Sequence, residues 1–446
     1  MTILDTQTLI DSYVATAKAE AALLPQAQLA AQAYLDEHKL PAKKDERYKY
    51  TDVNSIFIAE PKPATRAVHS NFIDLDEIFR CDIPQLDTHL LVLINGFFHS
   101  FTSKGETPKG VEVLSFAKAV KAEPTLIEVY LQHKNTPEDS LEALNTLLAA
   151  DGYFIRVKKG AKLDKPIQIV NVLLETSRNL VQTQSLIVLE EGASADLVLC
   201  DHSLTPGLFV SNSSLTVHAA EHAIFNLIQM QNEHDEASHI NHTYIKQQAD
   251  SVVKHICLSL HGGVIRNNLH VDLVGERADN HSLGLFFTDR KQLVDTYTFI
   301  NHAVPNCTSN QMYKGVLDEE SVGSFTGRIY VNKIAQKTLA YQRNNNLLLS
   351  STAKMNSRPQ LEIYADDVKC SHGATVGQLN PESMFYLRAR GIGEVEARFL
   401  LMYAFAFEVL NGITISPLRE RIGDMVDRRL RGELVRCHNC SLNNSR

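Results

Sequence analysis

A β-rich repeat between about residues 153 and 376 constrains the fold of this chain more than any other feature. Short segments rich in β-branched residues alternate there with small or polar turns, and almost no helical pattern interrupts them. The first strand-like segments of four repeats begin 29, 29 and 25 residues apart, at 186–189, 215–218, 244–245 and 269–273. The second segments include 195–199, 223–227 and 251–256. Such a period is typical of a parallel β-helix, in which each coil buries its inner face against its neighbours.

The competing interpretation of the same segments is a β-sandwich or a barrel with irregular hairpins. Antiparallel architectures usually need several tight turns, and the dipeptides that favour such turns are Asn-Gly and Asp-Gly. Neither dipeptide occurs between residues 153 and 376. The pattern therefore favours the β-helix.

The segments on either side of the repeat carry helical signals. An Ala- and Gln-rich stretch of good helix formers, 8–40, is divided into two helices by Pro25. Three helices are predicted near the C-terminus. The first begins at Asn380-Pro381, an N-cap followed by Pro at the first helical position, and stops at Gly391. The second, at about 394–410, is apolar on nearly every side and needs a covering neighbour. We expect a mainly β fold with a β-helix core between an N-terminal helical or mixed domain and a C-terminal helical domain. The predicted domains are 1–152, 153–376 and 377–446.

The last predicted helix begins at Ser416-Pro417 and has a single apolar stripe, formed by positions 418, 422, 425, 426, 430 and 434. Arginines and acidic residues occupy the opposite side of this helix. The stripe predicts either a surface helix of the same bundle or a docking face for another protein.

Charge and hydropathy exclude some classes of protein. The 44 Lys and Arg residues against 52 Asp and Glu residues give a formal net charge of −8, which argues against a nucleic-acid-binding chain. The first 30 residues contain one basic residue, Lys18, unlike a secretory signal or a transit peptide. The longest apolar run, 399–407, is far shorter than a membrane span. We expect a soluble, cytoplasmic protein that binds neither nucleic acid nor membrane.

Common motifs for nucleotide and hydrolytic chemistry are missing. The chain has no P-loop, no GxGxxG fingerprint, no HExxH and no GxSxG. It is therefore not expected to hydrolyse nucleotides by itself.

Two clusters have the spacing of metal ligands. Cys437 and Cys440 form a CxxC pair, which supplies only half of a tetrahedral site. His234, His239 and His242 lie among acidic residues and are able to bind a divalent metal, although on a β-helix such a cluster is more often an exposed loop. By contrast, the run 344–346 (Asn-Asn-Asn) predicts a structural asparagine ladder within the β-helix.

Cys370 and His372 lie at the boundary between the β repeat and the C-terminal helices. Side chains two residues apart on a strand point to the same side, and thiol and imidazole are both ligands for soft or borderline metals. The alternative interpretation is a buried cysteine beside a hydrogen-bonded histidine.

Several longer motifs resemble the SufB/SufD family of iron–sulfur cluster assembly proteins. They are FTGRI at 325–329, AQKT at 335–338, QRNNNLLLS at 342–350, PQLEIYADDVKCSHGATVG at 359–377 and FYLRARGI at 385–392. A weaker similarity lies at 47–51 (RYKYT). The CSHGATVG motif and the modest length of the chain favour the SufD branch over the SufB branch. A β-helix polysaccharide lyase or esterase fits poorly, because such enzymes are mostly secreted and the first 30 residues of this chain are unlike a secretory signal.

The resemblance implies a non-catalytic scaffold subunit whose β-helix is right-handed. It implies pairing with SufB through the β-helices, docking of the ATPase SufC on the C-terminal helices, and a homodimer in isolation. His372 would lie at the SufB–SufD interface where a transient iron–sulfur cluster forms, with Cys370 as a secondary candidate. Reduced flavin is implied for the complex, without a site, and the ATP site would be on SufC. The candidate partner-binding residues are Phe385, Tyr386, Arg388, Arg390, Gly391, Phe399, Tyr403 and Phe407.

Overall fold

The computed structural model describes residues 6–17, 22–42, 44–58, 60–64, 87–102, 108–173, 179–203 and 209–433. The central part of the chain is a parallel β-solenoid of about seven turns. The strands are β1 (Lys62–Pro63), β2 (His89–Ile94), β3 (Phe97–Thr102), β4 (Val111–Ser115), β5 (Tyr153–Val157), β6 (Ile167–Leu173), β7 (Asn179–Leu189), β8 (Ser194–Ser203), β9 (Phe209–Ala219), β10 (Ile224–Asn232), β11 (Ser238–Gln247), β12 (Val252–His261), β13 (Val264–Leu273), β14 (Asp279–Thr288), β15 (Leu293–His302), β16 (Thr308–Leu317), β17 (Val322–Val331), β18 (Leu339–Leu348), β19 (Lys354–Ile363) and β20 (Lys369–Gly377).

From β5 to β20, successive strands alternate between two ten-stranded sheets. Sheet A runs β19-β17-β15-β13-β11-β9-β7-β5-β4, with β1 beside β7, and sheet B runs β20-β18-β16-β14-β12-β10-β8-β6-β2-β3. The predicted first segments of the repeat all lie in sheet A and the predicted second segments all lie in sheet B. Neighbouring coils pair in parallel, so that Leu186, Thr216, Tyr244 and His270 stand in one row. The β-helix prediction is confirmed.

At one corner of the solenoid, a residue with left-handed backbone conformation recurs in each of several successive coils. Gly192, His222, Asp250, Arg277 and Asn306 all have φ between 56° and 67°. The backbone N–H groups of Gly192, His222, Asp250 and Asn306 donate to carbonyl oxygens of the next coil, as in His222 N to Ala249 O at 3.0 Å. This corner replaces the hairpin turn of an antiparallel sheet, which explains why Asn-Gly and Asp-Gly are missing from the repeat.

The lumen of the solenoid is apolar on one side and polar on the other. Val217, Leu227 and Ile245 belong to a large apolar cluster inside the coils. Two residues further along one of these strands, Gln229 faces the same lumen and accepts a hydrogen bond from buried His255 (2.6 Å). Burying polar groups is costly unless they are paired, so side-chain hydrogen bonds between coils hold the polar half together.

Helices cover the outer faces of both sheets. They are α1 (Thr6–Ala17), α2 (Pro25–His38), α3 (Val53–Phe57), α4 (Phe116–Ala122), α5 (Pro124–Tyr130), α6 (Ser140–Leu148), α7 (Pro381–Ala389), α8 (Glu394–Leu410) and α9 (Ser416–Leu430). The N-terminal helices pack on sheet A and the C-terminal helices pack on sheet B. Strands β2 and β4 of the N-terminal region also extend the two sheets. Within the described ranges, no helix combines the length and the apolar character that a membrane span requires.

The described part of the apolar stripe of α9 packs inside this chain, and position 434 lies outside the described residues. Leu418, Ile422, Met425 and Val426 are buried in the cluster that joins the C-terminal helices to sheet B. Of the two interpretations of that stripe, the surface helix of the same bundle is confirmed. The docking-face interpretation is wrong for α9, because sheet B already covers these side chains.

Candidate functional site at the open end of the solenoid

The last coil of the solenoid leaves two strand edges without a neighbour in the described part of the chain. Strands β19 and β20 are the terminal strands of sheets A and B. Every residue of β20 is exposed except Cys370, which is half-buried, whereas most residues of β16, two coils earlier, are buried. A Cβ atom added at Gly373 or Gly377 would meet no atom within 4 Å. Unpaired strand edges of this kind are templates for another chain.

Cys370 and His372 share the lumen side of β20. Cys370 is in register with Ala340 and His372 with Gln342, and both of these partners are fully buried inward-facing residues. The prediction that thiol and imidazole point to the same side is therefore confirmed. His372 itself is exposed, because no further coil covers it.

The chemistry of this pair is incomplete within the described residues. Cys370 packs beside the small apolar cluster around Ala340, and burial raises the pKa of its thiol, so a bound metal would have to displace the thiol proton. No described group of three His, Cys, Asp or Glu ligand atoms includes Cys370 or His372. A metal bound here would need ligands from outside the described chain.

The asparagine run 344–346 is held by hydrogen bonds next to the open end. Asn344 and Asn346 are buried and joined by a hydrogen bond of 2.8 Å, while Ser357 donates to Asn344 Oδ1 at 2.7 Å. Asn345 faces outward and donates to Thr375 Oγ1 of β20 at 2.7 Å. These contacts fit a structural role, but the predicted ladder is wrong, because none of the residues in register with the run on the two neighbouring strands is an asparagine.

The hairpin of α7 and α8 carries a second exposed feature. Helix α7 begins and ends where the sequence predicts. At its start, Asn380 Oδ1 accepts the Ser383 N–H at 2.9 Å, and in the turn that follows it Gly391 has φ +87°. Phe385 and Tyr386 are 74% and 56% exposed, and the Arg390 guanidinium lies 4.6 Å from the ring centre of Tyr386. Sheet B is a neighbour that helix α8 was predicted to need. It covers only part of the helix, and some apolar side chains of α8 remain exposed.

Helix α8 has exposed apolar side chains, and two of them, Val395 and Leu400, are not among the predicted partner-binding residues. Val395 is 82% exposed, Phe407 40% and Leu400 38%. Leu400 and Phe407 share one side of α8, whereas Val395 lies on another side in its first turn. We name these three side chains, together with Phe385 and Tyr386, the C-terminal apolar patch. The sequence placed Val395 and Leu400 in an apolar helix, but only the tertiary structure shows that both remain uncovered.

Phe399, one of the predicted partner-binding residues, is covered by other parts of this chain. Its side chain is only 6% exposed and lies under the Arg431 guanidinium, 3.7 Å from the ring centre. Tyr403 is half-buried beside it, with ring centres 6.0 Å apart. Arg388 remains exposed and pairs with Glu394 at 3.3 Å. The exposed candidates are therefore Phe385, Tyr386, Arg388, Arg390, Gly391 and Phe407.

The three clustered histidines do not meet at one metal site. His239 and His242 are an odd number of residues apart on β11, so one faces the lumen and the other faces the N-terminal helices. Both are buried, which also rules out the exposed-loop interpretation for them. His234 lies in the preceding turn, where its Nδ1 accepts the Glu236 N–H at 3.1 Å. Cys437 and Cys440 lie outside the described residues.

His239 instead meets two carboxylates. Its Nδ1 lies 2.8 Å from Glu233 Oε1, and its Nε2 lies 4.0 Å from Asp201 Oδ2. Burial lowers the pKa of His239, but the two carboxylates outweigh it and raise the pKa to about 9. This group lies in the lumen, away from the open end.

Comparison with known proteins agrees with the motifs. The family model described as "SUF system FeS cluster assembly, SufBD core domain" matches residues 172–405, and "SufBD protein N-terminal region" matches residues 7–169. The iron–sulfur cluster assembly protein SufD of Escherichia coli is 30% identical over 422 residues, covering 92% of this chain and 93% of that protein. A SufBD family protein of Synechocystis is 29% identical, covering 87% of each chain. SufD of Bacillus subtilis is 25% identical, covering 90% and 93%.

These matches span the N-terminal helices, the solenoid and most of α8, and they favour the predicted family over a carbohydrate-active enzyme. The chain belongs to the SufB/SufD family of iron–sulfur cluster assembly proteins and is a homologue of SufD.

Proposed function

We propose that this chain is a non-catalytic scaffold subunit that pairs with SufB through the open end of its solenoid. The observation that carries the proposal is the position of His372. It is exposed on the lumen side of a terminal strand, and the described residues around it supply too few ligands to hold a metal. A partner strand that continues sheet B would bring its own side chains next to His372. Iron and sulfide would then meet between two subunits, with Cys370 as a secondary ligand.

Replacing His372 by Ala is expected to reduce the iron and acid-labile sulfide bound per complex by roughly tenfold or more, on the scale of losing a metal-site residue. The test is co-expression with SufB and SufC, anaerobic purification and analysis for iron and sulfide. The complex itself is expected to form, because an exposed side chain contributes little to folding. Cys370→Ala is expected to have the smaller effect.

His222→Ala is the matched control, since His222 is also exposed but lies at the corner of the solenoid. A His372→Ala complex with its full complement of cluster would show that His372 is not a required ligand. If the wild-type chain forms no complex with SufB and SufC, the scaffold proposal itself is wrong.

We propose further that the C-terminal apolar patch docks the ATPase SufC. An apolar patch bordered by charged residues is typical of a protein-binding surface. Arg388, Arg390 and Glu394 border this patch and are exposed. The ATP site would then be on the partner, consistent with the missing nucleotide motifs in this sequence.

Changing Phe385 and Val395 to Glu together is expected to weaken SufC binding at least about tenfold, because two carboxylates would lose their hydration in the interface. Titration calorimetry with purified SufC measures the effect. The free energy of unfolding of the isolated chain is expected to change by less than about 1 kcal/mol. Leu29→Glu, on α2 and 74% exposed, is the control that should leave binding unchanged. Equal SufC affinity in the double variant and the wild type would remove the patch from the interface.

The remaining parts of the proposal concern organisation. We propose three domains with boundaries near residues 152 and 376, a cytoplasmic location, and a homodimer when SufB is missing. Reduced flavin is proposed for the assembled complex, without residues assigned in this chain. A role as SufB itself is less favoured, because two SufD proteins each align with at least 90% of this chain.

A further inference from the structure

A buried group of two carboxylates and one imidazole lies inside the solenoid, far from the open end. Asp201 comes from β8, Glu233 directly follows β10 and His239 is the second residue of β11. Their exposed fractions are 8%, 3% and 2%. Five strand spacings separate β10 from β20 in sheet B, or about 24 Å. The group is therefore separate from His372.

The three side chains converge. One ligand atom from each lies within 4.8 Å of the ligand atoms of the other two. The contact of 2.8 Å between His239 Nδ1 and Glu233 Oε1 is close to the separation of about 3 Å expected for neighbouring ligands of a cation bound at about 2.1 Å. Asn171 Nδ2 donates to Asp201 Oδ1 at 3.1 Å, as the outer partner of a ligating carboxylate does.

Charge is the second observation. Glu233 Oε2 has no hydrogen-bond donor among the described residues, and the ion pair of Oε1 in the described ranges is with His239. Buried carboxylates are normally paired or bound to a metal. A divalent cation that displaced the proton of the His239 imidazolium would neutralise the charge of −2 on the two carboxylates.

We infer that Asp201, Glu233 and His239 form a binding site for one divalent transition metal ion. Mixed oxygen and nitrogen ligands suit Zn²⁺, Mn²⁺ or Fe²⁺. With three protein ligands, the remaining positions would be filled by water. The site would hold together three successive coils, in a stabilising role that does not depend on cluster assembly at His372.

The test uses the full chain without partners, with Cys437 and Cys440 both changed to Ser so that the CxxC pair cannot bind metal. After chelator treatment, the protein is titrated with Co²⁺ and followed by visible absorption, and with Zn²⁺ by calorimetry. One equivalent of each metal is expected to bind. Glu233→Gln is expected to lower the affinity at least tenfold, whereas Glu236→Gln, an exposed carboxylate in the same turn, should leave it unchanged.

A second measurement guards against a variant that fails to fold. X-ray absorption of the Zn²⁺-loaded chain is expected to show only nitrogen and oxygen ligands near 2.0–2.1 Å. A sulfur ligand would assign the metal to a site with one of the five remaining cysteines instead. No bound metal, or full binding by folded Glu233→Gln, would overturn the proposal. His239 would then be an imidazolium held between two carboxylates.

Discussion

At pH 5 the free energy of unfolding is expected to be about 2 kcal/mol lower than at neutral pH for each of two histidines enclosed in the solenoid. Burial lowers the pKa of His255 and His302 to about 4, whereas a histidine in an unfolded chain has a pKa near 6.5. Below pH 6.5 the unfolded chain therefore binds protons that the folded chain excludes. The stability is fully present above pH 6.5 and is lost as the pH falls toward 4.

Other histidines add to this loss. Burial also lowers the pKa of His218 and His270 to about 4, and these rings lie beneath the N-terminal helices. Glu142, whose pKa is about 2, changes stability only below about pH 4.5. Because a small domain is stable by only about 5–15 kcal/mol, acid unfolding is expected to set in near pH 5.

Urea unfolding at pH 7.5, 6.5, 5.5 and 5.0 measures this dependence. His255→Gln keeps a polar side chain beside Gln229 but takes up no proton. Its stability is expected to depend on pH less steeply than that of the wild type, by about 1.4 kcal/mol per pH unit. His222→Gln, at an exposed corner position, should leave the slope unchanged. Parallel pH profiles for His255→Gln and the wild type would show that His255 is not the titrating group.

Lys134→Met is expected to destabilise the chain by about 3–5 kcal/mol, because it leaves Glu142 as a buried carboxylate without its cation. Lys134 is fully buried, lies 3.2 Å from Glu142 Oε1 and donates to Ser214 Oγ at 2.9 Å. The Tyr244 hydroxyl donates to the other Glu142 oxygen. The pair lies where the N-terminal helices meet sheet A, so faster hydrogen exchange is expected around residues 132–148.

The control is the exposed pair Lys159–Glu191, with a contact of 2.6 Å and side chains 68% and 51% exposed. Lys159→Met is expected to cost far less than Lys134→Met, because solvent screens an exposed pair. The double variant Lys134→Met/Glu142→Leu is expected to recover much of the loss, since it removes both buried charges. If Lys134→Met were as mild as Lys159→Met, the buried pair would not hold the N-terminal helices on the solenoid.

Local sequence features predicted the elements that depend on neighbours in the chain. The spacing of the β-branched segments predicted the strands of both sheets of the solenoid. The two-residue separation of Cys370 and His372 predicted that they point to the same side of one strand. Asn380 and Gly391 marked the ends of α7 because capping is a matter of a few adjacent residues. These predictions succeeded because strand and helix periods are set by backbone geometry alone.

Contacts between distant segments were not predictable in the same way. Asp201 and His239 meet only because the coils pair in a particular register, and that register depends on the length of every turn. Phe399 and Val395 lie on one apolar helix, yet one is buried and the other exposed.

The sequence by itself therefore determined the solenoid, its helical flanks, the family and the strand that carries His372. Only the tertiary structure decided which side chains are covered, because burial depends on what packs against a surface and not on its own composition. The sequence therefore identified the strand that carries His372, but it did not show that Phe399 is covered. It also did not show that Asp201, Glu233 and His239 meet in the lumen.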